Sequence, residues 1–119
     1  MDEQLFSQLR TLQDVRDYVW TGYAVTIDAR RRVMLGVRQE PRLPLAVSEP
    51  GPLMTHAVCL AGAAGITLRQ LRELFGLLDI RRFERGLVQL RAGGDIVETT
   101  EQRPNRAGSV KLQVVLRCR

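Results

Sequence analysis

The chain has 119 residues, 45% of them apolar, and a net charge of +5, which suits one compact domain with an appendage and excludes an intrinsically disordered chain. No apolar run nears the ~20 residues that a membrane-spanning helix needs. The opening "MDEQLFSQLR" is acidic and then amphipathic, unlike a secretory signal, so a cytoplasmic protein without membrane contact is expected.

Every basic residue except Lys111 is arginine. GC-rich coding favours that bias on its own, but a surplus of fixed positive charge also suits a polyanionic partner. Residues 3–20 place Leu5, Leu9, Leu12 and Val19 at helical spacing, flanked by Phe6, Val15 and Trp20. This predicts one amphipathic helix ending near Gly22. Residues 23–37 alternate, with Val25 and Ile27 before a "DARR" turn and Val33, Leu35 and Val37 after it. That is the pattern of a β-hairpin with Arg30, Arg31 and Arg32 at its tip. Residues 38–52 hold four of the five prolines and read as a connector without regular helix or central strand. The connector separates an N-terminal unit, 1–37, from a C-terminal unit, 53–119.

In the C-terminal unit, Leu53, Ala57, Leu60, Ala61 and Ala64 predict a buried helix face over 53–64. Thr67 and Gln70 form a capping box before a stripe of Leu68, Leu71, Leu74 and Phe75, and Gly76 suits a left-handed C′ position. Asp79 caps a helix over 79–92 whose inward positions are Phe83, Leu87 and Leu90. Gly86 inside that helix costs about 1 kcal/mol relative to Ala. It either admits a second helix closely or marks a shorter one. Two strands follow, "DIVETT" and "SVKLQVVL", the second with Val110, Leu112, Val114 and Leu116 on one face. "EQRPNRAG", 101–108, is the polar turn between them.

This ordered series resembles a winged helix-turn-helix domain of the bacterial repressor type over residues 53–116. "LFGLLD" stands where the family has its turn, one residue longer than the common version, and "RAGGDIV" where it has the helix-to-wing step. The resemblance implies an α+β fold: three helices plus a β-hairpin wing, here preceded by the N-terminal helix and hairpin. It implies sequence-specific binding of double-stranded DNA by a small transcriptional regulator. Helix 79–92 would enter the major groove, and wing tip 101–108 would lie on the minor groove or backbone.

With Phe83, Leu87 and Leu90 inward, 100° per residue turns Arg81, Arg85, Val88 and Ala92 outward, with Arg82 and Gln89 on the flanks. Arg reads guanine O6/N7 bidentately and Gln reads adenine N6/N7. Arg103 and Arg106 at the wing tip suit a narrow minor groove or flanking phosphates, and Arg69 and Arg72 suit backbone positioning. The competing reading of each arginine is a solvated face paired with neighbours such as Glu73, Glu84, Glu98 or Glu101.

No catalytic set assembles. His56 is the single histidine and lies in an apolar helix, and "GAAG" at 62–65 lacks the spacing of a phosphate loop. No metal or cofactor is expected, and no enzyme. Cys59 and Cys118 read as a buried thiol and an exposed tail thiol. A helix and hairpin of this size cannot fold alone. The expected use of helix 3–20 is a homodimer seam through Leu5, Phe6, Leu9, Leu12 and Val19, which would space two recognition helices by one turn of DNA. Packing on the chain's own domain is the alternative use. The rival function is a winged-helix protein-interaction module without DNA contact.

Overall fold

The computed structural model describes residues 2–21, 45–105 and 107–119. The hairpin expected at 23–37 with its Arg30–Arg32 tip, the first part of the connector, and Arg106 lie outside those residues. In chain order the elements are α1 (Asp2–Gln8), α2 (12–21), α3 (Leu45–Ser48), α4 (Gly51–Leu60), a 3-10 turn (Gly62–Ala64), β1 (Ile66–Thr67), α5 (Leu68–Leu74), α6 (Ile80–Ala92), β2 (Ile96–Pro104) and β3 (Val110–Cys118). Helices packed beside one antiparallel sheet make the arrangement α+β.

The single helix expected over 3–20 is in fact two. Thr11 Oγ1 accepts the Asp14 N–H at 3.1 Å, and the Asp14 carboxylate accepts the N–H groups of Arg10 and Thr11 at 3.0 and 3.1 Å. This reciprocal cap satisfies donors at the start of α2 and breaks the chain at 9–11. The Arg10 N–H, then the Thr11 N–H, hold the Asp14 carboxyl below its usual range. The break lets Leu9, Val15 and Val19 all enter the core with Leu53, Met54, Ala57 and Val58, while Phe6 and Leu12 pack at its edge. His56 Nε2 lies 2.7 Å from the Leu9 carbonyl oxygen, and the His56 and Phe6 rings stack at 5.0 Å. Of the apolar stripe expected to join two copies, Leu9 and Val19 are buried within the chain's own core, whereas Leu5, Phe6 and Leu12 are only partly buried.

The connector contains α3, with Val47 buried, and α4 opens at Gly51, two residues earlier than expected. Pro52 is accommodated in the first turn because N–H groups there have no intrahelical acceptor. α4 stops at Leu60 rather than at 64; Gly65, at φ 73°, leads into β1, and Ala64 is exposed rather than buried. A side chain at Gly65 would press on Val115, Arg117 and the Leu116 carbonyl as well as occupying a forbidden φ.

The cysteines also depart from expectation. Cys59, in the last turn of α4, and Cys118, at the end of β3, form a disulfide with Cα atoms 4.8 Å apart. Both residues are exposed. Their separation of 59 residues carried no hint of the contact, which exists because α4 packs on β3.

The capping box at Thr67 and Gln70 is present in both directions, each bond 3.0 Å long. Gly76 does not take the left-handed conformation. Arg72 closes α5 instead: its Nη1 donates to the carbonyl oxygens of Phe75 and Leu78, both at 3.1 Å, while its guanidinium lies 5.0 Å from the Phe83 ring centroid. α6 runs its full expected length from the Asp79 cap. Gly86 is buried where α6 crosses the start of α4; a Cβ there would meet the Met54 sulfur and come within 3.0 Å of Pro50 Cγ. The first of the two readings of that glycine, close helix approach, therefore holds.

The sheet order is β1-β3-β2, with Ile66 opposite Leu116 and a β2–β3 ladder from Ile96↔Cys118 to Pro104↔Val110. β1 was not anticipated, since two residues carry no periodicity. β2 continues through "EQRP", so the turn is 105–109, shorter than the expected 101–108. Pro104 is tolerated because β2 is an edge strand. Asn105 closes the turn, its Oδ1 accepting the N–H groups of Ala107 and Ser109, both at 3.0 Å. Leu116 joins the helical core and Val114 is half-buried, but Leu112 and Val110, farther along the same face, are exposed. The ribbon outruns the helices that cover its base.

Candidate nucleic-acid interface

α6 owes its direction to its two ends. Asp79 accepts the Arg82 N–H at 2.8 Å at the start, and Arg91 Nε donates to Glu98 of β2 at 2.6 Å near the finish. Phe83, Gly86, Leu87 and Leu90 face the core. The opposite face carries Arg81, Arg85 and Val88, which is 64% exposed. Neither Arg81 nor Arg85 has a hydrogen bond or ion pair among the described residues. Two like charges one turn apart repel by a few tenths of a kcal/mol, an arrangement that an anion would relieve.

The other expected contacts are distributed differently. Arg82 donates Nη1 to the Asp79 carboxylate at 3.2 Å, which partly offsets its charge. Arg69 is exposed beside Glu73, 3.8 Å away. Arg72 is engaged in closing α5, as above. Gln89 is also engaged: its Oε1 accepts the Gly51 N–H at 3.2 Å at the start of α4, and its Nε2 donates to Glu49 at 2.9 Å. It lies on the side of α6 that faces α4, a consequence of the close approach at Gly86.

Arg103 sits on β2, not at the wing tip. Its Nη2 donates to the Ala64 carbonyl at 2.6 Å and to Glu101 at 3.4 Å. Arg117, which drew no attention in the sequence, completes this cluster. It makes a two-pronged pair with Glu101, its Nε donates to the Ala63 carbonyl at 2.9 Å, and its Nη1 donates to Thr99 Oγ1 at 3.1 Å. Hydrogen bonding from Arg117 is the main cause that pulls the Glu101 carboxyl from 4.5 down to about 2, and the same pairing raises Arg117. The period of two puts Thr99, Glu101 and Arg103 on the sheet face away from the helices. The 3-10 turn caps that face with its carbonyl oxygens.

A groove of about 480 Å³ separates the start of α6 from the β2–β3 hairpin, with Arg69, Ile80, Phe83, Lys111 and Leu112 among its lining. Lys111 and Ile80 were not singled out from sequence. The signal available for Lys111 was that it is the chain's single lysine, three residues past the expected turn 101–108. Among the described residues no group of His, Cys, Asp and Glu has the arrangement of a metal site, and no helix is long and apolar enough to cross a membrane. Set against protein-family models, curated proteins and solved structures, the chain matches none of them.

Proposed function

We propose that the chain binds double-stranded DNA through a winged helix-turn-helix formed by α4, β1, α5, α6, β2 and β3, and serves as a small transcriptional regulator. The observation that carries this reading is the outward pair Arg81 and Arg85, unpartnered among the described residues on a helix capped and tied at both ends. In this reading α6 enters the major groove with Arg81 and Arg85 toward base edges. Arg69, Arg82 and Lys111 reach phosphates. Arg72, Gln89 and Arg103 act within the fold, so the wing contributes reach through its 105–109 turn rather than through Arg103. A homodimer through segment 3–20 needs a surface other than Leu9, Val15 and Val19. Trp20, 51% exposed, and the half-buried Leu5, Phe6 and Leu12 are the apolar side chains left there.

The second reading, a protein-interaction module, is favoured by one observation. Ile80, Val88, Val110 and Leu112 are all exposed apolar side chains, and Ile80 and Leu112 line the groove between α6 and the wing.

Fluorescence anisotropy of the full chain against random duplex DNA at several salt concentrations separates the two. Binding that weakens steeply with salt, by counterion release, is the expected result. No binding even at low salt sinks the DNA reading and leaves the apolar groove as the surface to assay for a protein partner. If Arg85 reads a base, Arg85→Ala costs about 1–3 kcal/mol and relaxes sequence preference; a phosphate contact would instead lose equally on every sequence.

A further inference from the structure

We propose that the hollow bounded by α1, one face of α4 and the C-terminal end of α6 binds a small organic cation with a flat apolar body, such as a protonated aromatic amine. Its volume is about 690 Å³, inside the range of about 300–1,000 Å³ usual for small-ligand sites. Phe6, Pro52 and His56 supply apolar and aromatic wall, and the Phe6 and His56 rings lie nearly parallel, 12° apart. The two rings are stacked on each other, so a flat ligand would extend the stack on an outer ring face.

Charge defines the ligand class. In a chain of net charge +5, no lysine or arginine among the described residues lines this hollow, whereas Glu49 and Asp95 both do. Among the described residues Glu49 accepts one bond, from Gln89, which leaves carboxylate lone pairs for an ammonium group. The Asp95 carboxylate makes no hydrogen bond or ion pair among the described residues. An aromatic body on the Phe6–His56 wall with its ammonium toward the two carboxylates satisfies both halves of the site, and an anion of the same shape is repelled. Gln89 joins the hollow to the start of α4 through its bond with Gly51, so the ligand would sit where α4 and α6 are clamped together.

The test is an NMR titration of the full chain, without DNA, with tryptamine as probe and indole-3-acetate as the anion built on the same ring. Tryptamine is expected to move the amide signals of Phe6, His56 and Gln89 and to bind about tenfold or more tightly than indole-3-acetate, a gap of about 1.4 kcal/mol. Asp95→Asn and Glu49→Gln, both at exposed positions, should each weaken tryptamine several-fold. Thr55→Trp, which fills the hollow, should abolish its binding. Equal affinity for cation and anion, shifts confined to other surfaces, or no shifts at millimolar tryptamine would each overturn the proposal. Since no DNA enters the assay, none of these outcomes depends on the DNA reading.

Discussion

Two arginine clusters, one on α6 and one on the wing, have the same residue types and opposite circumstances. On α6, Arg81 and Arg85 face solvent without a partner among the described residues. On the wing, Arg103 and Arg117 converge on Glu101 and on the carbonyl oxygens of Ala63 and Ala64. The difference is what surrounds each face. Among the described residues nothing packs over the outward side of α6, whereas the 3-10 turn folds across the wing and presents carbonyl oxygens there. An arginine beside a carboxylate and two carbonyls holds a fold together. An arginine beside another arginine is available to an external anion.

The largest expected effect concerns the base on which the wing stands. The Cys59–Cys118 disulfide closes a loop of 59 residues, and for a loop of that length chain-entropy arguments give about 4 kcal/mol. Reduction with a dithiol should lower the melting temperature sharply, and Cys59→Ser should melt at the same temperature with or without reductant. If reductant leaves the wild-type melting curve unchanged, the disulfide contributes nothing to holding β3 on α4.

Next in size is the α6 pair itself. Arg81→Ala and Arg85→Ala are each expected to cost about 1–3 kcal/mol in DNA affinity, measured by anisotropy, with melting temperatures close to wild type. Arg117→Ala should do the reverse, lowering the melting temperature while leaving DNA affinity of the folded protein unchanged. A loss of affinity from Arg117→Ala without loss of stability would erase the contrast between the two clusters.

Gly65→Ala probes the turn that supplies the wing's carbonyl partners. At φ 73° a side chain costs about 1–3 kcal/mol in the backbone alone. The Cβ would also lie 2.9 Å from the Leu116 carbonyl oxygen, which has little room to retreat. Denaturant unfolding should show a loss at or above that range. Gly62→Ala, at a positive φ but in open space, should cost less.

The smallest effect is set by acid. Glu101 is held at about 2, below its ordinary 4.5, chiefly by hydrogen bonding from Arg117. A depressed carboxyl stabilises the fold fully above its unfolded value, and that contribution drains away as pH falls from about 4.5 through about 2. Asp14, also lowered, adds in the same direction. The raised Arg117 reflects the same pair seen from its other side, which on the alkaline side is lost only in strong alkali. Melting temperature should therefore drop between pH 5 and pH 2, and Glu101→Gln should flatten the drop. An unchanged acid profile in Glu101→Gln would mean the pair does not hold the wing in solution.

Local rules written in a few neighbouring residues were legible in the sequence. The capping box of α5, the Asp79 cap, the length of α6 and its outward Arg81–Arg85 face all follow from 3.6-residue periodicity and from side chains that satisfy nearby backbone donors. The break at Thr11 was legible in principle too, because "TLQD" carries the same capping logic. A continuous apolar stripe across 3–20 concealed it. What only the tertiary structure decided is which polar groups are already engaged. Arg103 finds the Ala64 carbonyl oxygen, and Gln89 the Gly51 N–H, because backbone elements distant in sequence pass within reach. Cys59 meets Cys118 for the same reason. Periodicity specifies the side of its own element on which a residue lies. The partner waiting there comes from another part of the chain, and only the packing of α4, α6 and β3 brings it close.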